Sequence, residues 1–457
     1  MTTFLPNNLE FKRLAGVHLV FVTIVSLGLL GFSNIALAEA DKYANATELK
    51  LMEGFPPPPD RRVNRSNALF AAPYNRWSYL NMRMVYPTAG IPNADKSISI
   101  EKKIDIGINN LKIEKAGEDG FPNGKMVDMA TYLEETYSDA LVVVKGNKVV
   151  YEKYLNGMDA DHTHQMMSVT KSFAGLFGLI AVAEGKAKEK ELVATYVPEL
   201  KASGAFKNAT FGQVLDMTNS MDFSEDYADP ESGIVQYAAV LGFMEQQQGK
   251  KYADSIYSYL TTLPFDKAHP HGEIFHYQTP KTDVVNWVTN RATNLSFQDN
   301  MYDRLWSKLG TDGETYVLLD KNATLFAGGG LNATPNDLAR FAMMMLNNGK
   351  FHGEQVISNE VIVKLAAGGS TKAFKNGPSS SGVMAGGDWS YRAQWWVRHT
   401  PGKAAFTALG IHGQWIYIDV ERDIAIIKQS SQPVSSSDYF DGYNISAYDT
   451  IISYLTK

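Results

Sequence analysis

Ser168 and Lys171 form a Ser-x-x-Lys, Ser168-Val169-Thr170-Lys171, at the head of an apolar run from Phe173 to Val182. On a helix, residues i and i+3 share a face, with Cβ atoms roughly 5–6 Å apart. A lysine amine then reaches a serine hydroxyl, and an adjacent base is one way to activate that weak nucleophile. The helix N-terminus adds unpaired N–H groups and a dipole that favour developing negative charge. The same spacing also fits a serine that only caps a helix, followed by a solvated lysine. A second copy, Ser99-Ile100-Glu101-Lys102, shows that bland case, because apolar and charged residues alternate around it and no apolar helix follows.

Two further segments carry candidate chemistry. Tyr277, in Gly272-Glu273-Ile274-Phe275-His276-Tyr277-Gln278-Thr279, precedes a helix-like run from Asp283 to Ala292. A tyrosine can act as general acid or base where a cation lowers its pKa, and Lys171 is the candidate cation. A core tyrosine with a satisfied hydroxyl is the alternative. Gly410-Ile411-His412-Gly413-Gln414 opens a strand over 415–418. Glycines there let a ligand approach the strand, and the backbone N–H groups of Gln414 and Ser168 would together form an oxyanion hole. The alternative is a tight turn. Tyr227, in the 222–232 loop, is either a cleft residue or a surface loop residue. Trp395, Trp396 and Trp415 shape an apolar pocket or fill the core.

The elements that must position these residues are legible in outline. Ala140–Val144 and Val149–Tyr151, joined around Gly146-Asn147, predict a hairpin. Trp415–Ile418 and Ile424–Ile427, joined by Glu421-Arg422-Asp423, predict another strand pair, and Tyr443–Leu455 a final helix. Strands flanking a largely helical middle predict an α+β unit with an antiparallel sheet, flanking helices and a mostly helical subdomain inserted at about 185–320. No internal repeat is visible.

The N-terminus reads as an export signal. Lys12 and Arg13 precede an apolar segment, Leu14 to Phe32, and Ala36-Leu37-Ala38 is a small-x-small cleavage site. Residues 1–38 are therefore expected to be a signal peptide, with a retained membrane anchor as the alternative. Export places the chain in the periplasm or outside the cell, and the membrane is met only through that transient segment. Residues 39–124 are expected to form an N-terminal arm, with Pro56 to Pro59 as an extended run, and 125–457 the main domain. There is no cysteine, which excludes disulfides and thiol catalysis. A net charge of −6 without a basic stripe gives no footprint for nucleic acid. His162-Thr163-His164 is followed by Met166 and Met167 rather than further ligands, and no H-E-x-x-H occurs, so no metal and no cofactor is expected. G-x-S-x-G, which an α/β-hydrolase needs, is absent.

Taken in this order, Ser168-x-x-Lys171, Tyr277 and the glycine-rich strand entrance resemble the serine β-lactamase and penicillin-binding-protein superfamily, whose motifs are S-x-x-K, Y-x-N and K-T-G. Thr210 to Ser220, Gly328 to Arg340 and Gln394-Trp395-Trp396 are similar to further segments of that family. The likeness is greatest to its class C β-lactamase-related branch, which includes esterases and 6-aminohexanoate-dimer hydrolases. Asn75-Arg76-Trp77 to Met82-Arg83 resembles the arm preceding the domain in the nylon-oligomer branch. The resemblance implies a β-lactamase/transpeptidase-like fold. It also implies an acyl-enzyme on Ser168, with Lys171 and Tyr277 moving protons on a small amide or ester substrate. His412, Gly413, Trp396 and Tyr227 are the expected substrate contacts. A penicillin-binding peptidase, or a non-catalytic cell-wall-binding relative, is the alternative. Two departures stand out: Thr279 replaces the asparagine of Y-x-N, and Ile411-His412-Gly413 stands for K-T-G. An isoleucine in place of the lysine removes the partner of a substrate carboxylate, which is costly to bury unpaired. This favours a neutral or cationic amide, or an ester, over a β-lactam.

Overall fold

The computed structural model describes residues 42–457, so the expected signal peptide lies outside the described residues. Tyr43–Lys457 form one compact unit. Its centre is an eight-stranded sheet in the order Trp389–Arg392, Trp395–Arg398, Ala405–Gly410, Gln414–Asp419, Ile424–Ser430, Ser138–Lys145, Lys148–Tyr154, Glu101–Lys102. All neighbours are antiparallel except the last pair, which is parallel. The architecture is α+β, as expected. The Ser138–Tyr154 hairpin turns at Gly146, whose φ of +59° suits a residue without Cβ. The second Ser-x-x-Lys falls on the parallel edge, where Lys102 is exposed and pairs with Glu152 at 2.8 Å.

Helices cover both faces. Val169–Ala183 carries Ser168 at its head and is buried through Ala181, as its unbroken apolar run requires. Gly175 lets the sheet come close, since a Cβ there would overlap the Ala393 carbonyl. Ser172 Oγ donates to Gln394 O at 2.7 Å and Trp395 Nε1 donates to Ser172 O at 2.8 Å, tying this helix to the strand end. Asp438–Leu455 covers the other face and begins five residues earlier than its apolar pattern predicts, after Ser437.

The middle of the chain is less helical than its composition suggests. It consists of short helices, Val193–Tyr196, Phe211–Leu215, Gly233–Leu241 and Ile256–Leu260, before the longer Pro280–Thr293. Side-chain caps at Thr210, Ser232 and Ser255 start three of them. A second sheet of four short strands, Thr88–Ile91, Thr315–Leu318, Leu331–Ala333 and His164–Gln165, delivers the chain to Ser168.

The Pro-rich N-terminal stretch does more than lie on the surface. Leu51, Val63, Ala68 and Leu69 are buried. Arg76 forms a buried ion pair with Asp139 at 2.9 Å, and Asn75 Nδ2 donates to Gln432 O at 2.8 Å. These contacts fix residues 68–79 against the sheet.

Candidate active site

Ser168 is placed by an unusual backbone step. Met167 before it has φ +48°, a left-handed conformation that side chains other than glycine adopt at some cost. The step turns Ser168 out of the Gln165 strand and into the head of Val169–Ala183. Its hydroxyl makes no capping hydrogen bond to the helix. Instead Lys171 Nζ lies 2.8 Å from Ser168 Oγ, and Lys171 is 1% exposed. Both observations set aside the alternative of a capping serine with a solvated lysine. Lys171 also donates to Gly328 O. Burial lowers its pKa to about 8, although Glu225 and Asp283 pull the other way.

Tyr277 stands beside this pair. Its hydroxyl neighbours Ser168, and Lys171 Nζ lies 5.1 Å from the centre of its ring. The ring stacks on Trp396 at 5.7 Å and meets Tyr391 edge-on at 6.1 Å. Ser379 Oγ accepts from the Tyr277 N–H at 3.0 Å, and buried Lys281 donates to His276 O at 2.9 Å, so the loop is held from both sides. The expectation that Lys171 lowers the Tyr277 pKa is not met. Burial raises it, outweighing the opposing influence of nearby Ser168, so Tyr277 is a neutral phenol that holds its proton.

Thr279 occupies the position of the family asparagine but turns elsewhere. Its N–H donates to Glu225 Oε2 at 3.0 Å and its hydroxyl to Glu225 Oε1. Tyr227 donates to the same carboxylate at 3.0 Å. Burial pushes the Glu225 carboxyl up, opposed by Lys171 and these donors.

A narrow cleft, partly open to solvent, adjoins Ser168 and Lys171. Its walls are mainly apolar, with Leu69, Phe70, Ile234, Leu241, Phe326 and Ile411 among them, and Tyr227 and Thr279 supply polar groups. Phe70, from the N-terminal stretch, meets the Tyr227 ring at 5.5 Å.

The glycine-rich segment is corrected in its details. It forms the turn between Ala405–Gly410 and Gln414–Asp419, and Ile411 is its residue on the cleft wall. Gly410 packs on Met166 and Met167, just before Ser168. Gln414 lies opposite Gly410 at the start of the next strand, and its buried side chain bonds to His412 O and Ser430. His412 is also buried, with Nδ1 2.7 Å from Gln432 O, and burial lowers its pKa to about 4. It is therefore neutral and offers no cation to a substrate carboxylate. Its φ of +61° and the +88° of Gly413 are both left-handed, as a tight turn requires. Trp396 backs Tyr277 rather than the cleft, and Trp395 and Trp415 are core. Of the H-x-H pair, His164 is consumed by Asp139 at 3.0 Å.

Glu225, Asp283, Gly328, Leu69 and Phe70 are site residues that sequence reasoning missed. Only the Gly328-Gly329-Gly330 run offered a signal, since three glycines mark a close backbone approach.

Comparison with known proteins identifies the relatives of this chain. Residues 129–449 match the family described as Beta-lactamase. Over 371 residues the chain is 33% identical to 6-aminohexanoate-dimer hydrolase of Paenarthrobacter ureafaciens, covering 81% of this chain and 89% of that one. A Bacillus anthracis structure with a provisional 6-aminohexanoate-dimer hydrolase assignment superposes with TM-score 0.76 at 26% identity, over 87% of this chain and 98% of that one. A family VIII carboxylesterase, 13% identical with TM-score 0.50 over 70% and 97% of the two chains, shares the fold alone.

Proposed function

The chain belongs to the Beta-lactamase family, and from that premise we propose that it is an exported serine hydrolase that cleaves a small amide or ester through an acyl-enzyme on Ser168. The observation that carries this reading is the buried Lys171 amine 2.8 Å from Ser168 Oγ, with a pKa lowered to about 8. A lysine so placed is partly neutral near pH 8 and can take the serine proton.

The steps follow from these positions. Ser168 Oγ bonds to the substrate carbonyl carbon as its proton passes to Lys171. Tyr277 gives its phenolic proton to the leaving nitrogen or oxygen as that bond breaks, and Lys171 returns a proton to Tyr277. Water then attacks the ester on Ser168, and its proton travels through the same pair back to Ser168. The Ser168 N–H is one oxyanion donor, and the second is a backbone N–H of the 411–414 turn, which passes the cleft wall at Ile411, Gln414 being the expected one. Ile411 and neutral His412 leave a substrate carboxylate without a partner on this side, which supports a neutral amide or ester over a β-lactam or a D-Ala-D-Ala peptide. The likeness to 6-aminohexanoate-dimer hydrolase supports an amide. Export rests on the sequence of residues 12–38 alone.

The test is intact-mass analysis after treatment with a fluorophosphonate and, separately, with a penicillin. A single fluorophosphonate adduct that disappears in Ser168→Ala is expected. No adduct with either reagent would overturn the catalytic reading, and a long-lived penicillin adduct would move the assignment to a penicillin-binding protein.

A further inference from the structure

We propose that Asp283 is a positioning residue of the Ser168 site, holding the 326–328 turn so that the Gly328 carbonyl aims the Lys171 amine at Ser168. The inference rests on the catalytic reading above and goes beyond it.

Asp283 lies in the first turn of Pro280–Thr293 and is 2% exposed. A carboxylate there is favoured by the helix N-terminus, yet it points away from the helix to serve the turn. Its Oδ1 accepts from the Ala327 N–H at 2.9 Å, and Gly328 follows directly in the same turn. Its Oδ2 accepts from Tyr237, fully buried, at 2.9 Å. Two donors from two other segments therefore converge on one buried group. The turn they hold is pressed close: a Cβ on Gly328 would lie 2.7 Å from Thr279 Cγ2 and 3.0 Å from Asp283 Oδ2. Only glycine brings its carbonyl this near Lys171.

The consequence concerns the lone pair. A neutral amine has two N–H groups and one lone pair. Lys171 Nζ has two close partners, Ser168 Oγ and Gly328 O. A carbonyl can only accept, so Gly328 takes an N–H and leaves the lone pair free to face the Ser168 hydroxyl. If the turn shifts, the amine rotates and donates to Ser168 Oγ, which cannot begin catalysis. Asp283 touches no reacting atom and acts through the turn.

Its charge gives a second readout. Lys171 is faced by Ser168, by Tyr277 and Glu225 from the loops above it, and by Asp283 from the helix. Asp283 is faced by Lys171, Tyr237 and Tyr257. Burial raises the Asp283 pKa to about 7, so its carboxylate supports the lysine ammonium only above that pH, and removing it withdraws that support. The acid limb of the pH–rate profile then moves to lower pH, while the plateau falls because the amine is misaimed.

The experiment compares wild type with Asp283→Asn, nearly the same size, and with Tyr237→Phe, which removes one donor to Asp283. Steady-state kinetics on a chromogenic ester, fluorophosphonate labelling rates and melting temperatures are measured for each. In Asp283→Asn the plateau kcat and the labelling rate are expected to fall roughly 10- to 100-fold with little change in KM, as for a misplaced catalytic group. The acid limb should move to lower pH, and Tyr237→Phe should give a smaller fall of plateau rate. Unchanged labelling and pH profile in a folded Asp283→Asn overturns the inference. If Asp283→Asn does not fold, unchanged labelling in Tyr237→Phe overturns it. Absence of labelling in wild type strikes the catalytic reading instead, so the two failures are distinguishable.

Discussion

The Lys171 amine and the Ser168 hydroxyl are 2.8 Å apart in a setting where burial has brought the lysine pKa to about 8. The neutral amine is the active form, and burial favours it. Activity is thus expected to rise with pH through about 8, by roughly tenfold per unit well below that value, the slope of a single deprotonation. The check is kcat/KM for a neutral ester between pH 5 and 10, with fluorophosphonate labelling of Ser168 following the same limb. A profile flat from pH 6 to 9 would remove Lys171 as the base. Lys171→Arg, which keeps a permanent charge, should abolish the limb together with most of the activity.

Tyr277 holds its proton in the folded protein and so enters as an acid. Tyr277→Phe keeps the ring between Trp396 and Tyr391 and deletes only the hydroxyl. Turnover should fall by about 10²–10⁴, the usual worth of a positioned proton donor, while Ser168 remains open to fluorophosphonate. The loss should be smaller for esters with good leaving groups, which need no proton to depart. Equal losses for good and poor leaving groups would contradict the assignment.

How much of this was legible depends on the range of each contact. Ser168 and Lys171 could be paired from sequence because both lie on one helical turn. Tyr277 could be placed because its segment ends at a helix start marked by Pro280. Glu225, Asp283 and Phe70 could not, since their partners lie tens of residues away and only the tertiary fold unites them. The turn at 411–413 shows a finer limit. Its glycines announced a tight approach, but which residue faces the cleft is set by the left-handed His412 and Gly413, which bury His412 and leave Ile411 on the wall. Thr279 was recognised as a departure, but its pairing with Glu225 needed the position of the 222–232 loop.

Arg76 and Asp139 tie the N-terminal stretch to the sheet, and both side chains are nearly inaccessible. Arg76→Met would keep the aliphatic stem and leave a buried carboxylate without its cation. Burial opposes the Asp139 charge, and Arg76 is the largest influence sustaining it. The expected cost is about 3–5 kcal/mol, the usual penalty for breaking a buried pair from one side. Urea unfolding measures it. A loss below 1 kcal/mol would mean that His164 and Ser431 suffice for Asp139.

Gly175→Ala tests the seat of the Ser168 helix. Alanine is intrinsically better in a helix by about 1 kcal/mol, so the sign rests on packing. The new methyl would overlap the Ala393 carbonyl, backbone that also accepts no easy shift because Gln394 O is bonded to Ser172. Overpacking of this kind costs about 1–3 kcal/mol, and net destabilisation is expected. A stabilised variant would show that the strand end yields freely.

Ile411 stands on the cleft wall as an apolar residue, and the adjacent His412 is neutral, so this wall offers no cation. Ile411→Lys should therefore give a penicillin carboxylate the partner it lacks. A charge-assisted hydrogen bond is worth about 1.5–3 kcal/mol, so acylation of Ser168 by penicillin should quicken roughly 10- to 100-fold. Labelling by the uncharged fluorophosphonate should change little, which controls for distortion of the site. Time-resolved intact mass of the variant with each reagent separates the two effects. If penicillin acylation stays as slow as in wild type while fluorophosphonate labelling is intact, the carboxylate is not what excludes β-lactams. The narrow apolar cleft lined by Phe70 and Tyr227 would then be the barrier.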